Sequence, residues 1–168
     1  LGLLDPAARV GDLGCGTGQF AEAIAPFVGE VIAVDESAAM LKAARARLAP
    51  HDNVAVRDGS VEALPIEDGA LDVAILSLVL HFVSEPEAVL TEVRRVLRPR
   101  GGRLLIVDML PHDHAEYRQT MGHVWLGFPA ERIAEWAAAA GFTAVRQHAL
   151  PAAPQAKGPT LFTAVLTT

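Results

Sequence analysis

Val10–Ala21 reads VGDLGCGTGQFA, with three alternate glycines, Gly14, Gly16 and Gly18, between an apolar run and a segment of helical period. Glycines at a strand-to-helix turn let the backbone take left-handed conformations and approach a ligand closely. Gly14–Gly18 is a GxGxG, and Gly16–Ala21 also satisfies the looser dinucleotide pattern GxGxxA, so the glycines alone leave two readings open. Charge separates them. No lysine or arginine lies between Val10 and Glu30, while Asp12 sits two residues before the first glycine, near the carboxyl end of the predicted strand. A carboxylate there repels a pyrophosphate, which disfavours a nicotinamide dinucleotide. It suits an ammonium or a sulfonium, with the loop's free N–H groups facing a single carboxylate at the helix start.

Outward from the loop, apolar runs ending in turn residues alternate with helical segments, the pattern of βα units in a parallel sheet. Strands are predicted at Arg9–Leu13, Val31–Asp35, Val54–Arg57, Leu71–Ser77 and Arg103–Asp108. Phe20, Ala21, Ile24 and Ala25 make one buried helical stripe, and Met40, Leu41, Ala44 and Leu48 another. Ser84-Glu85-Pro86-Glu87 reads as a capping box opening a helix to about Leu97, and a further helix at Ala130–Ala140 stops at Gly141. Thr143–Leu150 and Leu161–Thr167 read as an antiparallel pair at the sheet edge, joined by an exposed loop at Pro151–Gly158.

The chain of 168 residues, about half of them apolar, is long enough for one sizeable core and short for two domains. One domain is expected over residues 1–168, and with a start at Leu1 and no methionine it is expected to be a fragment of a longer chain. No apolar run is long enough to span a bilayer, and Leu1–Val10 has no signal-peptide pattern. A single cysteine, Cys15, excludes a disulfide framework and a cysteine-rich zinc site, and the net charge of −6 gives no footprint for nucleic acid or membrane. A cytoplasmic location is expected.

Asp35, closing the second strand, is placed to meet two ribose hydroxyls, or alternatively to cap the helix that follows, a task Ser37 could also perform. A nucleoside carrying an amino-acid zwitterion is S-adenosyl-L-methionine. At these residues the sequence resembles the class I, Rossmann-like S-adenosylmethionine-dependent methyltransferases of the small-molecule, ubiquinone-biosynthesis-like type. VGDLGCGTG, VIAVDESAAML, DGSVEALPIEDGALDVAILSLVLHFV, EVRRVLRPRGGRLLIVD and AAAAGF fall in that family's order and cover nearly the whole chain. The segment DMLPHDHAEYRQTMGHVWLGF, Asp108–Phe128, is also similar to the methyltransferase-like domain fused behind a winged-helix DNA-binding domain in arsenic-repressor-type regulators.

The resemblance implies an α/β, doubly wound, mostly parallel seven-stranded sheet of order 3-2-1-4-5-7-6, the last strand antiparallel, with helices on both faces. It implies that Asp12, Gly14, Gly16 and Gly18 hold the methionine part of the cofactor and Asp35 the ribose. Glu36 and Met40 would lie along the adenine, and Ser77 and Leu78 beneath the sulfonium. Cys15, in the same loop, is counted with these residues as a small buried group and not as a nucleophile. Where the family has an aspartate for the adenine amino group this chain has Ser60, so the Ser60 hydroxyl and the Val61 N–H are the candidates. The family's LkPGG turn appears as Leu97–Gly102, LRPRGG, one residue longer.

The implied reaction is methyl transfer to a small-molecule acceptor, leaving S-adenosyl-L-homocysteine. The alternative is a domain that senses either nucleoside for an N-terminal DNA-binding domain without turnover, itself making no direct nucleic-acid or membrane contact. Candidate catalytic groups are His81, Asp108, His112 and His123, with Asp113 also facing the strand ends; His81 reads first as a hydrogen-bonded histidine at a helix start and second as a general base. The segment Met109–Phe128 is expected to form a lid. Met109, Leu110, Trp125 and Phe128 would close over an apolar acceptor and Tyr117, Arg118 and the histidines would orient a polar one, unless these side chains are ordinary packing. The acidic and histidine residues at 112–123 match no metal-ligand spacing, so no metal is expected.

Overall fold

The computed structural model describes residues 5–151, 155 and 158–168. The first residues of the chain and most of the connection expected at Pro151–Gly158 lie outside the described residues. Seven strands and five helices follow in the order β1 (Arg9–Leu13), α1 (Gln19–Ile24), β2 (Glu30–Asp35), α2 (Ala38–Leu48), β3 (Val54–Asp58), β4 (Val73–Ser77), α3 (Pro86–Val96), β5 (Arg103–Met109), α4 (Tyr117–Thr120), α5 (Ala130–Ala139), β6 (Ala144–Ala149) and β7 (Leu161–Thr167). They form one sheet of order β3-β2-β1-β4-β5-β7-β6. β1 to β5 pair in parallel, and β7 runs antiparallel to both β5 and β6.

The period of two along each central strand divides the core into two layers. Leu13, Ile32, Val34, Ala74, Leu76, Leu104 and Ile106 point to one face, where Val89, Leu90 and Val93 of α3 and Ile133, Trp136 and Ala137 of α5 cover them. Val10, Val31, Ala33, Val73, Ile75 and Leu105 point to the other, against Ala21 of α1 and Ala44 and Leu48 of α2. Because the strands are buried on both faces, they read in the sequence as nearly continuous apolar runs. The carboxyl ends of β1, β2, β4 and β5 all emerge on one edge, and the site is built there.

Several local expectations need correction. The stripe on α2 consists of Leu41, Ala44 and Leu48, while Met40 is 42% exposed, because it sits one residue off a narrow stripe. The expected capping box does not form: α3 starts at Pro86, whose fixed φ sets the first turn, with Glu85 as N-cap and no side-chain cap. The fourth strand begins at Val73 and not Leu71, because Leu71 makes only an isolated bridge to Leu97.

The link from β3 to β4 contains no helix. It is tied down instead by Arg95 of α3, whose guanidinium donates to the carbonyls of Leu64 (3.2 Å) and Ile66 (2.9 Å) and to Asp68 (2.6 Å). A two-pronged contact with Glu92 (2.6 and 2.8 Å) fixes that guanidinium, and Glu92 also accepts the Leu64 N–H. Arg95 holds the Glu92 carboxyl below its usual range. Arg95→Ala should therefore lower unfolding free energy by about 1.5–3 kcal/mol in urea titrations, the range for hydrogen bonds to a charged group. Asp68, whose side chain is 82% exposed, should matter less, with Asp68→Asn changing stability by no more than about 0.5 kcal/mol.

Candidate functional site

Two cavities open along the carboxyl edge of the sheet and share Leu78 and Phe82 as a common wall. The first, about 650 Å³, is floored by the glycine loop and walled by the ends of β2 and β4. Gly16 has a φ of +53°, and a Cβ added there would meet no atom within 4 Å; its Cα faces open space. Gly14 approaches Val79 so closely that a Cβ would lie 2.6 Å from Val79 Cγ2. The loop is thus shaped to leave room on one side and to pack tightly on the other.

Asp12 is 2% exposed at the floor of this cavity, and its Oδ2 accepts the Ala21 N–H of α1 at 3.1 Å. Burial pushes its carboxyl up to about 6; the Ala21 N–H opposes this and the charge of Asp35 adds to it. Asp35 bridges two elements, accepting the Gly16 N–H at 2.8 Å and the Ser37 N–H at 2.9 Å. The helix-cap alternative for Asp35 resolves into a division of labour: the Ser37 side chain accepts from Met40 N, and Asp35 orders the entry to α2.

The loop amides are not free, contrary to expectation. Gly14 N and Cys15 N donate to Val34 O, Gly16 N to Asp35 and Gly18 N to Cys15 O. Cys15 is buried, and burial, followed by the charges of Asp12 and Asp35, pushes its thiol up to about 12, so it stays protonated.

Of the cofactor residues expected from the sequence, Asp12, Gly14, Cys15 and Gly16 line the first cavity together with Asp35, Glu36 and Met40. Val61, Ser77 and Leu78 also line it. Gly18 and Ser60 do not. Gly18 faces α2, where a Cβ would lie 2.9 Å from Leu48 Cδ1, and Ser60 Oγ accepts the Glu62 N–H within its own turn. The exposed, positive φ of 58° at Leu78, unusual for a residue with a branched side chain, marks the point where the chain leaves β4 between the cavities. Phe20 and Val79 also line the cavity, and sequence pattern alone assigned Phe20 to a buried stripe.

The second cavity, about 630 Å³, is lined by Leu78, Phe82, Met109, Met121, Leu150 and Leu161, among others. His81, His123, Tyr117 and Thr160 supply its polar side chains, and no aspartate, glutamate, lysine or arginine is among its described lining. His81 Nδ1 lies 2.9 Å from Asp108 Oδ1, and Asp108, fully buried, also accepts its own neighbour's N–H from Met109. The His81 and His123 rings lie 4.3 Å apart. Burial, then the neighbouring imidazoles His81 and His112, lower the His123 pKa. His112 falls outside the lining; burial and then His114 lower its pKa, and its Nε2 is sealed without a partner.

The expected lid divides. Met109, Tyr117, Met121 and His123 face the second cavity, whereas Trp125 and Phe128 stack on Trp136 of α5 at 5.7 Å and belong to the core. Leu110 likewise packs against the core. Arg118 turns to the Val124 carbonyl and Asp113 is exposed. Pro151 and Gly158, read from sequence as parts of an exposed connection, are exposed and also border the cavity. Among the described residues no three histidine, cysteine or acidic side chains gather to hold a metal ion.

The family described as "Methyltransferase domain" matches residues 11–106. The malonyl-[acyl-carrier protein] O-methyltransferase of Serratia marcescens is 34% identical over 132 residues, 79% of this chain and 49% of that protein. A ubiquinone/menaquinone biosynthesis C-methyltransferase of Hahella chejuensis is 37% identical over 109 residues, 63% of this chain and 42% of that protein. The chain thus spans half or less of the length of these curated relatives. The crystal structure of the YcgJ protein from Bacillus subtilis superposes with a TM-score of 0.79 at 24% identity, covering 98% of this chain and 92% of that one. With more than half its length matched and the sheet order in agreement, the chain belongs to the methyltransferase domain family, on the class I, Rossmann-like fold.

Proposed function

We propose that this domain binds S-adenosyl-L-methionine in the first cavity and transfers its methyl group to a small-molecule acceptor in the second. The observation that carries the reading is Asp12: a buried carboxylate facing a cavity whose loop amides are already engaged. Such a site lacks a counter-charge, and a ligand ammonium supplies one. Asp35, Glu36 and Met40 line the far side, suited to a ribose and an adenine face; Gly16 leaves the room the amino-acid arm needs.

When bound, the sulfonium supplies an activated methyl group and a neutral leaving group. The protein's part is then to position and to exclude water. Leu78 and Phe82 border both cavities and form the apolar passage between them, where the acceptor atom would meet the methyl carbon. Asp12 fixes the amino-acid arm from below, and Ser77, at the end of β4, lines the donor side. No helix of the described residues is long and apolar enough to cross a membrane.

The function is tested with S-adenosylmethionine and a broad set of phenols, thiols, amines and carboxylates. Transfer to one of them is the expected result. Tight cofactor binding with no transfer to any would favour a sensing domain attached to a DNA-binding regulator.

Gly16→Val should abolish cofactor binding in calorimetry, because the new side chain fills the open space at the loop. The positive φ should cost the fold about 1–2 kcal/mol, so the variant stays folded by circular dichroism but loses the ligand-induced rise in Tm. Asp12 gives a pH signature. Its folded pKa is raised from 3.8 to about 6, so its contribution to stability is present below pH 4 and lost as pH rises through 6. A ligand ammonium, still protonated in that range, favours the carboxylate; affinity should therefore rise with pH through about 6 and binding near pH 6 should release a proton. Calorimetry in two buffers of different ionisation enthalpy reads that proton, and Asp12→Asn should remove it along with the pH dependence.

A further inference from the structure

We propose that the second cavity takes a neutral, largely apolar acceptor bearing a weakly acidic hydroxyl, a phenol or an enol, and that His81 removes its proton. This rests on the assignment of the first cavity to the methyl donor. His81 leaves β4 through a one-turn 3-10 helix, Leu80–Phe82, which places its ring in the cavity wall beside Leu78 and Phe82, the residues shared with the donor cavity. The base therefore stands at the junction where the reacting atoms meet.

Hydrogen-bond inventory fixes the tautomer. An ionised Asp108 can only accept, so at 2.9 Å His81 Nδ1 carries the proton and donates it. Nε2 is left with its lone pair and, unlike the Asp108 and His123 atoms behind it, is not a sealed, unpartnered atom. Asp108 is fully buried with Oδ1 shared between His81 and the Met109 N–H, while Oδ2 has no partner. A sealed carboxylate with one unpartnered oxygen is costly unless a positive charge stands beside it. The imidazolium formed when His81 takes a proton is that charge. Asp108 is accordingly a positioning residue, held on β5 behind the base and out of the acceptor's reach.

The lining selects the acceptor. A carboxylate or phosphate acceptor would enter a cavity of about 630 Å³ without a lysine or arginine among its described lining. A cationic amine would find no acidic side chain, since Asp108 is screened by His81. His123, whose burial lowers its pKa, adds a second imidazole to the described lining. A ring-bearing molecule with one hydroxyl meets Met109, Met121, Leu150 and Leu161 with its body and His81 with its O–H. The balance is simple: the hydroxyl proton passes to Nε2, the oxygen bonds to the methyl carbon, and the carbon–sulfur bond breaks with its pair on sulfur. The products are a methyl ether, S-adenosylhomocysteine and an imidazolium facing Asp108, which then loses its proton to water.

The test compares wild type, His81→Gln and Asp108→Asn with an alkylphenol, neutral at pH 8, and 4-nitrophenol, which is largely ionised there. Cofactor affinity by calorimetry should stay within about twofold in both variants, showing an intact donor site. With the alkylphenol His81→Gln should lower kcat by about 10²–10⁴-fold, the range for a lost general base, and with the nitrophenol much less. Independently of turnover, the absorbance of nitrophenol bound with S-adenosylhomocysteine should show ionisation at a lower pH in wild type than in His81→Gln. The titrating groups around His81 are Asp108 on β5 and His123 and His112 on the segment that follows, so the pH titration is repeated in His123→Gln, where the shift should persist. Equal losses for both phenols, an unchanged absorbance titration, or a wild type that binds cofactor yet methylates amines or carboxylates and no phenol would overturn the proposal. Failure to bind S-adenosylmethionine at all would instead overturn the donor-site reading beneath it.

Discussion

A carboxylate buried at the end of β1 sets the terms for everything around it. Asp12 accepts the amide that opens α1, faces the donor cavity and stands near Asp35. The buried Asp12 and half-buried Asp35 carboxylates repel each other, and the protein gives them amide donors in place of a basic residue. The remaining charge is available to a cationic ligand. The same arrangement accounts for the inert Cys15 thiol, which burial and these two charges keep protonated. It also gives a reason for the sheet order: reversal of connection direction at β1 splays α1 and the β4 exit apart and opens the crevice that Asp12 floors.

The second cavity follows a contrasting logic. Its described lining carries no aspartate, glutamate, lysine or arginine, and the buried carboxylate of Asp108 lies behind the His81 imidazole. On the proposed assignment, electrostatic selection of the donor and apolar selection of the acceptor meet at Leu78 and Phe82, which line both cavities. Leu78 holds a positive φ without glycine's freedom, strain that the packed sheet edge must support. A passage fixed in this way leaves the reacting atoms little room to wander, which is what an in-line displacement asks of a protein.

Much of the fold was legible because the central strands are buried on both faces and so appear as unbroken apolar runs bounded by turn residues. β1 and β7 fall where the pattern puts them. The glycine loop was legible through charge, Asp12 together with the absence of nearby lysine or arginine, more than through the glycines themselves. What sequence pattern missed was decided by contacts distant along the chain. Trp125 and Phe128 look like lid residues until α5 brings Trp136 beneath them, and nothing local marks Pro151 or Gly158 as cavity wall. The loop amides seemed free because their acceptors, Val34 O and Asp35, belong to the neighbouring strand. The His81–Asp108 pair, 27 residues apart, exists only because β4 and β5 are adjacent.

The central claim, that the acidic floor of the first cavity selects a nucleoside with an amino-acid zwitterion, is tested most directly by titrating the domain with S-adenosylhomocysteine, methylthioadenosine and NAD under one set of conditions. The three differ at the position facing Asp12: a zwitterion, a neutral methyl group and a pyrophosphate. The account predicts that S-adenosylhomocysteine binds at least about tenfold tighter than methylthioadenosine, as expected for a hydrogen bond to a charged group, and that NAD does not bind. Equal affinity for the first two, or measurable binding of NAD, would contradict it.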